Sequence, residues 1–230
     1  MATTLAERMS KFSGSPTSAL IAKVAELKLQ GKDIISLNVG EPDFGTPDYI
    51  KVAGMKAIAD NFTKYTPGNG ILELRQEIVK KLKQDNGIEY GLNEITTSVG
   101  AKQAIASAMM VIAGPGDEVI LPIPCWVSYT EMIRLAGATP VFVPVRPDNY
   151  ELDLKAIEDA ITPRTKAIII CTPNNPTGAV YSEESLRKLA ELAVKHDFFI
   201  VADEIYEKLV YDGAKHFSVA SISQEVKERT

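Results

Sequence analysis

Ala167-Ile168-Ile169-Ile170-Cys171 runs directly into Thr172-Pro173-Asn174-Asn175-Pro176-Thr177-Gly178, and Phe198-Phe199-Ile200-Val201-Ala202 runs into Asp203-Glu204-Ile205-Tyr206. Neither apolar run alternates with polar residues, so each is expected to be a strand covered on both faces. Between them, Ser182 precedes an amphipathic stretch reaching about His196, with Glu183 and Glu184 at its start. Ser182 suits an N-cap, and the two acids suit the positive end of the helix dipole. Strand, helix and strand in this order predict an α/β fold, a mostly parallel sheet flanked by helices. Polar residues that follow such strands stand at their carboxyl ends, where open α/β sheets bind ligands.

The same alternation extends outward. Ile95 to Val99, Val119 to Pro122 and Thr139 to Val145 read as strands. Ala101 to Ala113, Val127 to Ala136 and Leu154 to Ile161 read as helices, the last with Asp153 as N-cap. Nearer the start, Ala19 to Leu29 reads as a helix closed by Gly31, Ile34 to Val39 as a short strand, and Pro47 as the opening of a second helix. Ile71, Leu74, Ile78 and Leu82 mark one face of a helix ending at Asn86-Gly87, and Gly114 to Asp117 is a turn. Asp212-Gly213 reads as a turn, followed by one weak polar helix from Ser218 to Arg229. Residues 1–60 are expected to form an N-terminal arm and part of a small domain. Residues 61–230 are expected to form a large sheet domain that is incomplete toward its C-terminal side. The pattern leaves strand order open.

Composition narrows the class. The 230 residues are 45% apolar and 24% charged, with a net charge of −5. This is a globular composition without the basic footprint of a nucleic-acid or anionic-membrane binder. No apolar run approaches the roughly 20 residues of a membrane span, and residues 1–8 lack the apolar core of a secretion signal. Two cysteines, Cys125 and Cys171, make no disulfide framework and fit reduced thiols in the cytoplasm. His196 and His216 have no cysteine or acidic partners at metal-ligand spacing, so no metal is expected.

Several residues carry chemistry. Asp203 follows a buried strand, where a carboxylate is costly without a positive partner. The protonated ring nitrogen of an electron-poor aromatic cofactor is such a partner, and the pair keeps the ring electron-withdrawing. Tyr206 faces the same ligand if the stretch turns after Asp203, and a phenol and an amide suit a ring oxygen. Asn175 stands before Pro176, which restricts its backbone and can support a cis bond. Gly100-Ala101-Lys102 lies between a predicted strand and helix, where free N–H groups suit a phosphate. Trp126, after Pro122-Ile123-Pro124-Cys125, offers a flat face for stacking. Each alone has a plainer reading as a turn, a helix cap or a packed aromatic.

Taken together, Thr172–Gly178 and Asp203-x-x-Tyr206 resemble the aspartate aminotransferase family, class I of the fold-type I pyridoxal-phosphate enzymes, from the first helix to the last residues. The resemblance implies pyridoxal 5'-phosphate as cofactor. Asn175 would reach the ring oxygen and the substrate carboxylate, Tyr206 the ring oxygen, Gly100, Ala101 and Lys102 the phosphate turn, and Trp126 the ring face and the substrate. Gly40, in Val39-Gly40-Glu41-Pro42-Asp43, resembles the segment whose backbone faces the substrate carboxylate. Tyr65, in Thr63-Lys64-Tyr65-Thr66-Pro67, resembles the tyrosine that reaches the neighbouring subunit's phosphate, which implies a homodimer. Lys102 departs from the hydroxyl of many relatives and matches a bacterial subgroup whose lysine meets the distal carboxylate of an acidic substrate. The implied reaction moves an amino group from an L-amino acid, aspartate first, to a 2-oxo acid such as 2-oxoglutarate.

In the family, the lysine that binds the cofactor follows the Asp-x-x-Tyr strand, so it is expected beyond Thr230, as is the arginine that grips the substrate's α-carboxylate. Lys208, Lys215 and Lys227 lack the family's Ser-Lys context, and Lys227 is expected to be solvent-exposed. The 230 residues alone are therefore expected to be inactive. Two further readings stay open: a lyase or cyclopropane-forming synthase on the same scaffold, and a truncated, inactive partner. A regulator with a fused aminotransferase-like domain would need a DNA-binding segment, and no such pattern precedes Gly40.

Overall fold

The computed structural model describes residues 5, 9–10, 16–37, 40–41 and 44–230. The chain divides into two compact units, Ser13–Gly68 and a second made of Met1–Phe12 with Asn69–Thr230. In the first unit, α1 spans Pro16–Leu29 and α2 spans Asp48–Ala59. Gly31 closes α1 at φ +78°, its N–H donating to the Lys28 carbonyl. Pro47 is the N-cap of α2 rather than its first helical residue. The expected strand at Ile34–Val39 does not form over residues 34–37, which find no ladder partner among the described residues; Asn38 and Val39 lie outside them.

The second unit carries the sheet. After α3 (Leu72–Asn86) and α4 (Gly100–Ile112) come β1 (Glu118–Ile123), α5 (Ser128–Ala136) and β2 (Thr139–Pro144). Next are α6 (Leu154–Ala160), β3 (Thr165–Cys171), α7 (Glu183–His196), β4 (Phe199–Asp203) and α8 (Gln224–Lys227). The expected caps are present: Ala156 N–H donates to Asp153 Oδ1, Ser185 N–H donates to Ser182 Oγ, and Gly87 ends α3 at φ +70°. Pairing is parallel throughout, in the order β2-β1-β3-β4.

Period two explains why Ala167–Cys171 of β3 is apolar without a break. Ile168 and Ile170 pack with Ile120, Ile157, Leu186 and Leu189 in one cluster. Ala167, Ile169 and Cys171 pack with Ile105, Met109, Tyr129 and Ile133 in another. One face is thus covered by α6 and α7, the other by α4 and α5.

Strand order creates the functional edge. The connection from β1 leads outward to β2, the chain then returns past β1 to β3, and β3 leads the other way to β4. The order therefore reverses between β1 and β3, the position where open α/β sheets bind ligands. These two strands pair only at Glu118↔Thr165, Val119↔Ala167 and Ile120↔Ile168. Beyond that point β1 continues with β2 as far as Ile123↔Pro144, and β3 with β4 as far as Cys171↔Asp203. The central strands therefore separate toward their carboxyl ends. Along β4, the Ile200 N–H is taken by the Arg229 carbonyl at 2.7 Å. Beside it lies a cavity of about 490 Å³, lined by residues that include Leu82, Ile88, Tyr90, Ile112 and Phe199.

Three local expectations are corrected. Ile95–Val99 is not a strand; its cross-chain backbone link is Thr97 N–H to the Asn69 carbonyl, and a single bond is not a ladder. Ser218–Arg229 is not one helix. It forms a 3₁₀ turn at Val219–Ser221 and then α8, because Ser223 adopts an extended backbone and caps a new start by accepting from Val226 N–H. Lys227 is not solvent-exposed: its side chain is 12% accessible, paired with Glu94 at 3.1 Å and 4.4 Å above the Tyr90 ring. The polar stretch hid this because the partners come from residues far back in the chain.

Candidate active site

Asp203 ends β4 and is buried. Its Oδ2 accepts a hydrogen bond from Tyr129 Oη–H at 2.7 Å, and its Oδ1 accepts from Ile205 N–H at 3.2 Å. No lysine, arginine or histidine pairs with it among the described residues. Tyr129 lies in the first turn of α5 and is itself buried. Burial, with Cys171 and Asp203 adding to it, pushes the Tyr129 phenol far above its usual range, so it stays protonated and donates. Its ring meets Trp126 edge to face, centroids 5.4 Å apart. Sequence reasoning missed Tyr129. The available signal was its place one helical turn after Trp126.

The chain turns after Asp203, as the proposed role of Tyr206 required. Glu207 N–H donates to the Glu204 carbonyl, and Leu209 N–H donates to the Tyr206 carbonyl. Tyr206 is half-buried against the cluster that also holds Ala101, Cys125, Trp126, Tyr129 and Cys171. Burial raises the Cys171 thiol, and it pushes the Cys125 thiol up to about 11, so both stay protonated near neutral pH.

The loop after β3 separates two adjacent asparagines by role. Asn174 is buried, and its Oδ1 accepts from Thr177 N–H and Oγ1–H, while its backbone bonds Ala179 and Gly178. Its side-chain oxygen is therefore committed to the loop. Asn175 is partly exposed, and its side chain makes no hydrogen bond among the described residues. The bond from Asn175 to Pro176 is cis, as are those at Thr172-Pro173 and Ile123-Pro124. Thr172 N–H donates to the Asp203 carbonyl at 3.2 Å, which ties this loop to the end of β4.

Gly100 begins α4 at φ +79°, a left-handed backbone that glycine adopts without strain. The Val99 N–H is satisfied by Gln103 Oε1 at 2.5 Å. The N–H groups of Ala101 and Lys102 have no acceptor within the helix and lie at its positive end. Lys102 Nζ stands 5.0 Å from the Trp126 ring centroid, and no carboxylate pairs with it among the described residues. Gly40 and Tyr65 belong to the other unit, where both are exposed; Val39, Pro42 and Asp43 around Gly40 lie outside the described residues.

Asp203, Tyr206, Trp126, Ala101 and Lys102 are thus gathered around the carboxyl ends of the parting strands, with Asn175 on the adjoining loop. A carboxylate fixed by a phenol and lacking a cation accommodates a ring N–H⁺. A helix start with open N–H groups accommodates a phosphate. The donor set therefore fits pyridoxal phosphate, although the residues described contain no lysine placed to hold it covalently.

Known proteins resemble this chain over nearly its whole length. A family profile described as aminotransferase class I and II matches residues 32–229. The chain is 48% identical over 227 residues to the aspartate aminotransferase of Bacillus sp. (strain YM-2), covering 98% of this chain and 58% of that protein. It is 46% identical over 222 residues to the aspartate/prephenate aminotransferase of Thermus thermophilus, covering 96% of this chain and 57% of that protein. The solved aspartate aminotransferase from Thermus thermophilus with maleate matches with a TM-score of 0.94 at 45% identity, over 99% of this chain and 59% of that one. The chain thus spans a little under three fifths of the length of these relatives. Aminotransferases of this class use pyridoxal 5'-phosphate on the fold-type I scaffold. The profile match, the shared fold and the high identity together show that the chain belongs to the class I and II aminotransferase family.

Proposed function

We propose that the polypeptide carrying this chain transfers an amino group between an acidic L-amino acid, aspartate first, and a 2-oxo acid such as 2-oxoglutarate. It would act as a homodimer in the cytoplasm, in keeping with the two free thiols. None of the described helices is long and apolar enough to cross a membrane. The observation that carries the reading is Asp203: buried, fixed by Tyr129 and unpaired with any cation among the described residues. The relatives' names support the reaction, and the maleate in the Thermus thermophilus structure supports a dicarboxylate substrate.

When bound, pyridoxal phosphate supplies an electron sink for the bond broken at the substrate's Cα. The protein's part is positioning and charge. Asp203 holds the proton on the ring nitrogen, and Tyr129 fixes the carboxylate that does so. Trp126 covers one ring face and excludes water from it. The N–H groups of Ala101 and Lys102, with the flexible backbone of Gly100, hold the phosphate. Asn175 and Tyr206 hold the ring oxygen, and Asn175 orients the substrate's α-carboxylate. The Lys102 ammonium receives the distal carboxylate. Tyr65 reaches the phosphate of the neighbouring subunit.

The test is turnover of aspartate with 2-oxoglutarate by the whole polypeptide. Asp203→Ala should lower kcat by about a hundredfold or more, the scale of losing one preorganised electrostatic group. Near-normal turnover in that variant overturns the assignment. Lys102→Met should raise KM for aspartate about tenfold or more while leaving a neutral donor almost unchanged, the scale of one charged hydrogen bond. An equal effect on both donors removes Lys102 from substrate recognition.

A further inference from the structure

The segment just past Asp203 carries a polar group that transamination leaves unused. Glu204, Glu207 and His216 bring one ligand atom each within 4.8 Å of one another. Linear spacing concealed them, because His216 returns only through the turn at Asp212-Gly213. The His216 side chain is 10% accessible, and its Nε2 is buried without a hydrogen-bond partner among the described residues. It faces Glu204 Oε1 at 3.8 Å, too long for a hydrogen bond. The other carboxylate oxygens are engaged. Glu204 Oε2 accepts from Ser218 Oγ–H at 2.6 Å and from Asn86 Nδ2 at 3.4 Å. Glu207 Oε2 accepts from Asn86 Nδ2 at 2.8 Å, and Glu207 Oε1 is paired with Lys81.

We propose that Glu204, Glu207 and His216 form a binding site for one divalent d-block cation, of the kind represented by Zn²⁺ or Co²⁺. One imidazole nitrogen and two carboxylates are a ligand set such ions accept. Bonds of about 2.0–2.1 Å in a tetrahedron put ligand atoms about 3.3 Å apart, so the 3.8 Å gap between Nε2 and Oε1 closes with a small side-chain shift. The site also holds its own competitor. Lys81 already sits on Glu207, and the ion must displace it to gain its third ligand. An occupied site would lock the loop from Glu204 to His216, directly beside the cofactor-facing Asp203.

The chelator-treated whole polypeptide is titrated with Co²⁺ alone by visible absorption, and with Zn²⁺ alone by calorimetry. One ion per chain is expected. His216→Ala and Glu207→Gln should each weaken affinity tenfold or more, whereas Lys81→Met should tighten it about tenfold by removing the resident cation. Lys81→Met keeps all three ligands, so it answers even if His216→Ala fails to fold. The proposal is overturned if the chain binds no Co²⁺ or Zn²⁺, if His216→Ala binds as well as the parent, or if Lys81→Met binds no tighter. A cobalt–thiolate charge-transfer band would assign the ion to Cys125 or Cys171 and overturn it equally.

Discussion

The unit Ser13–Gly68 and the sheet unit both carry helices, yet among the described residues only the sheet unit builds a core. Among the described residues of Ser13–Gly68 none is buried: Ile58 of α2 is 70% exposed and Leu29 of α1 is 90% exposed. In the sheet unit, Ile120, Ile168, Leu186 and Leu189 are wholly inaccessible. The helices also differ in pattern: α1 and α2 spread their apolar residues around the axis, whereas α5 and α7 gather theirs on one face. The sheet supplies a flat apolar surface on each face, and α4 to α7 each have one to cover. A helix without such a surface keeps its apolar residues in water, whatever its length, because most helix stability in proteins comes from packing rather than propensity.

The largest expected effect sharpens that contrast. Leu189→Ala should cost about 3–4 kcal/mol in urea unfolding, since it empties a fully packed site between α7 and the sheet. A loss below 1 kcal/mol would mean that the core is looser than its burial implies. Tyr129→Phe should cost about 2 kcal/mol, because it keeps the ring but leaves a buried carboxylate oxygen of Asp203 without its donor. In the whole polypeptide it should lower kcat with little change in KM. The opposite split would make Tyr129 a substrate contact rather than a positioning residue.

Glu118 gives a smaller, pH-dependent effect at the other end of the sheet. The Thr162 hydroxyl and the Arg164 guanidinium hold its carboxyl below the usual range, so the native state binds this proton less readily than the unfolded chain. The stability it contributes is therefore complete above the ordinary carboxylate range and is lost as pH falls below that range toward the lowered native value. Glu118→Gln should flatten acid unfolding there, and an unchanged acid limb would remove Glu118 from the balance. The smallest effect is expected for Ile58→Ala, within about 0.5 kcal/mol of the parent protein. A cost near that of Leu189→Ala would show that α2 is packed in solution, and the contrast between the units would collapse.

Much of the sheet unit was legible because its signals are local. Unbroken apolar runs gave β1, β3 and β4, and Asp153, Ser182 and Gly87 marked helix ends within a turn of where they lie. Ile95–Val99 misled because its β-branched residues report the tendency to extend, not the presence of a neighbour to pair with. Asn174 and Asn175 are alike in sequence, and only the fold of their loop commits one to Thr177 and leaves the other available. Tyr129 stayed hidden because its partner Asp203 is far along the chain.

By itself, the sequence determined the sheet strands β1 to β4, the helices that alternate with them, and which residues end those strands. These properties depend on periodicity, capping and turn chemistry within a few residues. Only the tertiary structure decided the order β2-β1-β3-β4, which puts the reversal between β1 and β3. It alone set a phenol from α5 against the carboxylate of β4, buried Lys227 against Glu94 and Tyr90, and returned His216 to Glu204 and Glu207. Those outcomes depend on which apolar faces meet in space, and no short-range pattern encodes that choice.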